Sequence, residues 1–401
     1  MTPPAKLRLL FVDDEPQVLK VLRLTLRAMT GEWEMAFVET GQQALALMAQ
    51  QPVDVIVSDM RMPGMNGAQL LNEVMMRYPR TIRIILSAFA DQDLVMRCIG
   101  ATHQYLTKPC DLMVLRSALA RIYGLTKRLE DPDLRSLISE IKSLPSIPQV
   151  YLRMIEALEV PDAPIDAVSD IIAEDPALTA KVLQLVNSAF FGFARPSANV
   201  REAVQLLGVG IIRALALTIH LFSAFTPAQL RELPVDEIWE HSLRTALLAR
   251  QIAELEKSEP VFVEQAFSAG LLHDVGKLIL VAHRSPDYLE ALERARTCHV
   301  SLSQVEREIF KSTHADVGAY LIGIWGLPMA LVEAVAYHHS PGQASAPSFS
   351  PLTAVHVANH LAYANHPTPS EPALYQLDMA YLTRIGVEGR LPVWQAAAKK
   401  H

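Results

Sequence analysis

At 401 residues, half of them hydrophobic, the chain is long for one domain and apolar enough to bury more than one core. Its 36 Lys and Arg against 43 Asp and Glu leave a net charge of −7, which argues against non-specific nucleic-acid binding as the main task, since that rests on a basic surface. Three cysteines, Cys98, Cys110 and Cys298, without CxxC spacing, offer neither a disulfide framework nor a thiolate zinc site and fit a reducing compartment.

The start, MTPPAKLRLLFVDD, has neither the basic start plus long apolar stretch nor the cleavage site of a signal peptide. From there to Tyr123 short β-rich runs alternate with amphipathic segments: strands are expected near 7–12, 33–38, 53–58, 83–87 and 104–107, with helices between them and a last one from Asp111. Such a five-fold βα alternation predicts a doubly wound, five-stranded parallel α/β sheet in a domain spanning 6–123. After Tyr123 the strand signal stops, and the charged stretch 124–135 (GLTKRLEDPDLR) reads as a linker. From 136 to 385 the period is helical (IPQVYLRMIEAL, SANVREAVQLL, EIWEHSLRTALLARQIAEL), with breaks at Asp175-Pro176 and Ala194-Arg195-Pro196, so the second domain is expected to be all-α. Its most apolar stretch, LLGVGIIRALALTIHLFSAF, contains Arg213 and His220 and reads as a buried helix rather than a membrane span. Residues 343–351 read as a loop and 386–401 as a loosely held tail. A cytoplasmic protein with no membrane contact is the expectation.

Three carboxylates and a lysine carry the first chemical signal. Asp13 and Asp14 end the run LRLLFVDD, Asp59 ends VDVIVSD, and Lys108 follows in QYLTKP. The carboxyl ends of strands in an open parallel sheet share the edge where such sheets place their ligand crevice. Carboxylates gathered there repel unless a hard cation such as Mg²⁺ sits among them. With that metal and Lys108 neutralising an attacked phosphoryl group, a carboxylate becomes a competent nucleophile toward phosphorus. Taken singly, the acidic pair also suits a turn before a helix opened by Pro16, and Met60, Met62 and Met65 suit packing.

Over residues 6–123 this pattern resembles the receiver domain of two-component response regulators. The resemblance implies that Asp59 is the phosphoacceptor, that Asp13 and Asp14 hold Mg²⁺ with help from the Arg61 backbone carbonyl, and that Lys108, followed by Pro109, pairs with the phosphoryl oxygens. It also implies that Ser87 hydrogen-bonds the phosphoryl group and that Tyr105 is the aromatic switch. Phosphorylation adds about −1.5 to −2 of charge at one point, enough to draw Ser87 inward and let Tyr105 follow. A histidine kinase is the implied phosphodonor, and a homodimer through the face near Asp111 is a further expectation.

Histidines concentrate in the second domain: His241 in EHSLRTALLAR, His273-Asp274 in GLLHDVGKL, His314 in STHADVGAYL and His338-His339 in AYHHSP. Imidazole and carboxylate are the usual ligands of Fe, Mn, Zn and Co. The set resembles HD-type metal phosphohydrolases, with the further histidines corresponding to a second metal and Lys277, on the helix face of Asp274, to a phosphate contact. Two departures stand out. Asn359, in VHVANHLAY, takes the place of the closing Asp, which leaves Asp274 as the identified carboxylate for two dications unless Glu240, Glu333 or Asp316 is recruited. No Gly-Tyr-Pro follows the His-His pair, unlike the HD-GYP phosphodiesterases that hydrolyse cyclic di-GMP.

Residues 135–370 resemble the HDOD domain, an HD relative, more closely, because LPSIPQVYLRMIEAL, IIAEDPALTAKVLQLVNSAFFG and LLGVGIIRALAL occur together in order. That resemblance implies a helical signalling or scaffolding module. For His220, His283, His299, His360 and His366 a satisfied structural imidazole is the preferred reading, whereas His241, His273, Asp274, His314, His338 and His339 stand evenly between structure and metal binding. The expected function is therefore a response regulator in which phosphorylation of Asp59 by a histidine kinase controls an HDOD unit that engages a downstream signalling protein. The alternative is a phosphorylation-controlled, metal-dependent phosphodiesterase acting on a cyclic dinucleotide. Direct DNA binding is not expected, since 136–401 holds no basic recognition helix.

Overall fold

A computed structural model describes residues 6–88, 101–108, 113–120, 150, 153, 154, 157, 165–174, 178, 179, 182, 183, 200–223, 234–344, 347–366 and 376–399; the side chains of 87, 88, 107 and 217–223 lie outside the description. The chain divides into two compact units, one built on a sheet and one helical.

The first unit is a parallel sheet of β1 (Leu7–Val12), β2 (Trp33–Val38), β3 (Val55–Asp59), β4 (Ile82–Ala88) and β5 (Gln104–Lys108) in the order β2-β1-β3-β4-β5. Between strands run α1 (Pro16–Thr25), α2 (Gly41–Gln50) and α3 (Gly67–Arg77). The doubly wound architecture is as the sequence predicts, and β1 and β2 have the expected ends. Asp59 differs: it closes β3 rather than following it. Residues 113–120 are helical, whereas Asp111, the linker 124–135 and the Pro breaks at 175–176 and 194–196 lie outside the described residues.

Register explains the convergence of the acidic residues. Val12 pairs with Ser58, Asp59 with Leu86 and Ala88 with Lys108, so the carboxyl ends of β1, β3, β4 and β5 form one edge. Leu10, Val12, Ile56 and Ile85 bury one face of the sheet against Ala44 and Met48 of α2 and Leu70, Leu71 and Val74 of α3. Burial on both faces is what near-continuous apolar strands require. A capping box fixes the start of α3: Asn66 accepts from Gln69 N at 2.9 Å and Gln69 from Asn66 N at 3.1 Å. Gly67 follows because a Cβ there would lie 2.1 Å from the Asp59 carbonyl oxygen, so only glycine lets α3 start against the end of β3.

The helical unit comprises α4 (Ile165–Ala173), α5 (Val200–Leu207), α6 (Val209–Ser223), α7 (Val235–Leu255), α8 (Pro260–Leu272), α9 (Val275–His283), α10 (Ser285–Cys298), α11 (Leu302–Ile309), α12 (His314–Ile324), α13 (Met329–Tyr337), α14 (Pro351–Asn365), α15 (Met379–Arg384) and α16 (Leu391–Ala398). Helices α7, α8 and α14 pack on one another. The start of α9 meets the start of α12 at Gly276, where a Cβ would lie 1.9 Å from the His314 carbonyl oxygen and 2.8 Å from Gly318 N. Among the described residues no helix is long and apolar enough to cross a membrane.

Two expectations need correcting. The loop expected over 343–351 is shorter at both ends, because Gln343 closes a 3-10 turn from Pro341 and Pro351 opens α14 behind the cap Ser350, where a missing N–H costs nothing. The tail expected over 386–401 instead contains α16, held by the fully buried Trp394, whose Nε1 donates to Glu256 Oε1 at 2.8 Å. One indole and a distant carboxylate fix this helix. Eight residues are too few for such an anchor to register as a period.

Candidate functional site

At the carboxyl edge of the sheet, Asp13, Asp14 and Asp59 each present an oxygen within 4.8 Å of the others. Asp13 and Asp59 are buried. Lys108 Nζ lies 2.7 Å from Asp59 Oδ1 and donates to Asp13 Oδ2 at 3.0 Å. Asp13 Oδ1 accepts from Glu15 N at 3.0 Å, which aims its carboxylate into the edge. Burial raises the Asp59 carboxyl above its ordinary value, with Lys108 pulling the other way without cancelling it. Burial also works against the Lys108 ammonium, but Asp59 and Asp13 outweigh it and hold that pKa above its ordinary value.

Three carboxylates against one ammonium leave an all-oxygen pocket with an excess of negative charge. Mg²⁺ fits such a donor set, and Asp13, Asp14 and Asp59 are the side chains that would hold it. Of the other residues singled out, Tyr105 packs half-buried beside the core, and Ser87 sits in β4 opposite Thr107 with its side chain outside the description. Arg61 is exposed after the strand. Met60 and Met62 are buried and Met65 packs against them, which is the packing role the sequence suggests.

The second cluster lies where four helices end or begin against the sides of two others. His241 comes from α7, His273 follows α8, Asp274 precedes α9, Lys277 lies in its first turn, His314 opens α12, His338 and His339 follow α13, and Asn359 comes from α14. All are buried except His339, which is half-buried. Asp274 is the hub. Its Oδ1 lies 3.3 Å from His314 Nε2 and 3.7 Å from His338 Nε2; its Oδ2 lies 2.9 Å from Lys277 Nζ, 3.2 Å from His273 Nε2 and 3.9 Å from His241 Nε2.

The opposite ring nitrogens fix the ring orientations. Nδ1 of His273 donates to Gly270 O at 2.7 Å, Nδ1 of His338 to Val335 O at 2.8 Å and Nδ1 of His314 to Glu306 Oε2 at 2.7 Å. Each therefore turns an Nε2 toward Asp274. Buried nitrogens crowded on one carboxylate are costly unless a proton or a metal ion lies between them. Nε2 of His273 and His338 and both Asp274 oxygens are buried without a well-aligned hydrogen bond, as expected of ligands to a metal. The donor chemistry, imidazole with one carboxylate, fits Zn, Fe or Mn.

Electrostatics follow the same geometry. Burial pushes the Asp274 carboxyl up, but His273 and Lys277 overcome this and hold it well below the carboxylate range. His314 is pushed up to about 9, burial opposing and the Glu306 carboxylate prevailing. Burial and then the neighbouring positive groups push His338 and His339 well below the ordinary imidazole value.

Some expected roles do not fit this geometry. Lys277, expected to reach a phosphate, is 1% exposed and turned onto Asp274 and the Tyr363 hydroxyl. Asn359 Oδ1 accepts from His241 Nε2 at 2.8 Å. The carboxylates considered for recruitment are elsewhere: Asp316 caps α12 through Thr313 N at 3.1 Å, Glu240 pairs with Arg244, and Glu333 is in none of the ligand groups found among the described residues. His283, His299, His360 and His366 are outside those groups too, and the side chain of His220 lies outside the description. Glu306 was not anticipated. It is fully buried and accepts from both N and Nδ1 of His314, a carboxylate placed to orient a ligand imidazole. Its signal was a charge in the apolar stripe of α11, beside Leu302 and Val305.

Comparison with known proteins agrees with both units. The model of the response regulator receiver domain matches residues 9–120, and that of the HDOD domain matches residues 144–341. The chain joins a receiver domain to an HDOD domain. A crystal structure of an HDOD domain protein with unknown function from Geobacter sulfurreducens superposes with a TM-score of 0.53 over 68% of this chain and 98% of that one, at 24% identity, a likeness of fold. An uncharacterized protein of Treponema pallidum is 24% identical over 51% of this chain and 39% of its own length. The response regulator protein PilR of Pseudomonas aeruginosa is 31% identical over 34% of this chain and 33% of its own. The chain thus spans about a third to two fifths of the length of these two curated relatives. A receiver joined to an HDOD domain supports a response-regulator role in signalling, and a receiver implies a phosphodonor.

Proposed function

We propose that this receiver–HDOD protein is the response regulator of a two-component phosphorelay, with Asp59 as phosphoacceptor and the HDOD domain as an output that engages another signalling protein. The observation that carries the first half is Lys108 bridging Asp59 and Asp13 on the carboxyl edge of the sheet. A carboxylate oxygen of Asp59 attacks the phosphoryl group of a kinase phosphohistidine; the new O–P bond forms as the N–P bond breaks and the imidazole leaves. Lys108, already within reach of Asp59 Oδ1, pairs with the transferred oxygens. Mg²⁺, when bound by the acidic residues, supplies the further positive charge that the phosphoryl oxygens need.

Asp59→Asn is the direct test. With acetyl phosphate and Mg²⁺ the unaltered protein is expected to take up about one hydroxylamine-labile phosphoryl group per chain, and the variant none. Label retained by the variant would reject Asp59.

For the HDOD domain, the inward-facing imidazoles of His273, His314 and His338 about Asp274 support a bound divalent metal. Metal-dependent hydrolysis of a cyclic dinucleotide is a second reading favoured by the same ligands. Buried Lys277 and the amide of Asn359 count against it, since neither is placed to serve a phosphodiester. Assaying cyclic di-GMP hydrolysis by the metal-loaded protein beside its Asn359→Asp variant decides: hydrolysis by the unaltered protein would favour the enzyme, hydrolysis by the variant alone would show that Asn359 disables an otherwise complete centre, and inactivity of both would favour the binding module.

A further inference from the structure

The two oxygens of Asp274 face unlike surroundings. On the Oδ1 side, His314 Nε2 lies at 3.3 Å and His338 Nε2 at 3.7 Å, and His339 Nε2 lies 3.0 Å from His314 Nε2. One ligand atom from each of Asp274, His314, His338 and His339 falls within 4.8 Å of every other. The Nδ1 protons of His314 and His338 are committed to Glu306 and to the Val335 carbonyl, so their Nε2 atoms point inward, where a metal ion would displace the proton that His314 shares with Asp274 and His339. His338 Nε2 and Asp274 Oδ1 are buried without a hydrogen-bond partner.

The Oδ2 side is already occupied. Lys277 Nζ stands 2.9 Å from Oδ2 with its side chain 1% exposed. His241 Nε2 lies 2.8 Å from the Asn359 amide oxygen, which can only accept and brings no charge to offset a second ion. His273 Nε2 and Oδ2 stand beside the Lys277 ammonium.

Resting on the reading of this cluster as a metal centre, we infer that the HDOD domain binds a single divalent transition-metal ion, held by Asp274 Oδ1 and the Nε2 atoms of His314, His338 and His339, and that Lys277 replaces the second ion. Charge supports this count. With the carboxylates of Asp274 and Glu306 ionised and Lys277 protonated, one dication leaves a net +1, and two would leave +3. The cost of uncompensated buried charge grows as its square, so adding the second ion raises that cost roughly nine-fold. Three imidazoles and one carboxylate oxygen make a closed four-ligand set of the kind structural Zn²⁺ takes, with Fe²⁺ and Co²⁺ as close substitutes and Mg²⁺ disfavoured by the nitrogens. Glu306 is the positioning residue that holds His314 in the ligating tautomer.

The experiment uses the full chain, stripped with chelator and reloaded with Zn²⁺ or Co²⁺ in the presence of excess Mg²⁺, which keeps the receiver pocket out of the count. One tightly held equivalent per chain is expected, with X-ray absorption showing three imidazoles, one oxygen and no metal–metal vector near ~3.5–4 Å. Two equivalents with such a vector would overturn the single-ion inference and leave the metal centre standing. No bound metal would overturn the metal centre itself. His339→Gln should lose the ion and His241→Gln keep it, and the reverse pattern would overturn the assignment of sides. Should a variant fold poorly, absorption data on the unaltered chain still decide between one ion and two.

Discussion

Charge without a countercharge marks the buried pair at the foot of the receiver sheet. Arg83 is 1% exposed; its side chain donates to the carbonyls of Ala101, Pro79 and Thr81, and its backbone N–H to His103 Nδ1 at 3.0 Å. Burial lowers the guanidinium to about 10, and burial with the Arg83 charge pushes His103 well below 6.5. The unfolded chain therefore binds a proton at His103 near pH 6 that the folded chain refuses. Stability from this group is present above pH 6.5 and drains as pH falls through 6.5 toward the lowered folded value. The expected loss is about 1 kcal/mol between pH 7 and pH 5.5, read by urea unfolding of the receiver, and His103→Phe should flatten that slope. Nothing in the sequence announced this pair, because an arginine in β4 and a histidine just before β5 become partners only through register. The acidic pocket was legible for the opposite reason: Asp13, Asp59 and Lys108 each end an apolar run, and parallel pairing sends all such ends to one edge. Glu306 stayed hidden because its importance comes from His314, eight residues on and in another helix.

Elements deliver those residues through close approaches that a side chain would prevent. The start of α9 touches the start of α12 at Gly276, which is what brings Asp274 and His314 together. Gly276→Ala must move the His314 carbonyl away, since backbone cannot yield as a flexible side chain does. The expected outcome is loss of bound metal from a protein that keeps its helical content, checked by metal analysis beside far-ultraviolet circular dichroism; full metal content would show that the contact is not needed. The sequence displayed the helices of this unit through their period but not this contact, which has no periodicity. The last helix shows the same limit. Trp394 anchors α16 to Glu256, joined there by Arg390 Nε at 2.8 Å, so Trp394→Ala empties a core site and leaves Glu256 without its indole donor. A cost of about 3–5 kcal/mol is expected in the unfolding of the helical unit, with the receiver transition unmoved. A shift under about 1 kcal/mol would return 386–401 to the status of a loose tail.

At the scale of the whole molecule, the described residues include two clusters of candidate metal ligands with different chemistry, one all-oxygen and one dominated by imidazole. If the receiver controls the HDOD domain, linkage requires that each pocket report on the other. Beryllofluoride with Mg²⁺ mimics the phosphoryl group at Asp59, and Zn²⁺ or Co²⁺ loads the HDOD centre. A coupling of about 1–3 kcal/mol changes the affinity of either ligand by roughly 5–150-fold, and by the same factor whichever is added first. Calorimetric titration of beryllofluoride into metal-free and metal-loaded protein, and of Co²⁺ into protein with and without beryllofluoride, gives both sides of that cycle. Equal, non-unit factors would establish that the two domains share a conformational equilibrium, with Asp59→Asn abolishing the effect in both directions. Factors of one in both would mean that the signal leaves the receiver through a partner protein and not through the metal-bearing part of its own chain.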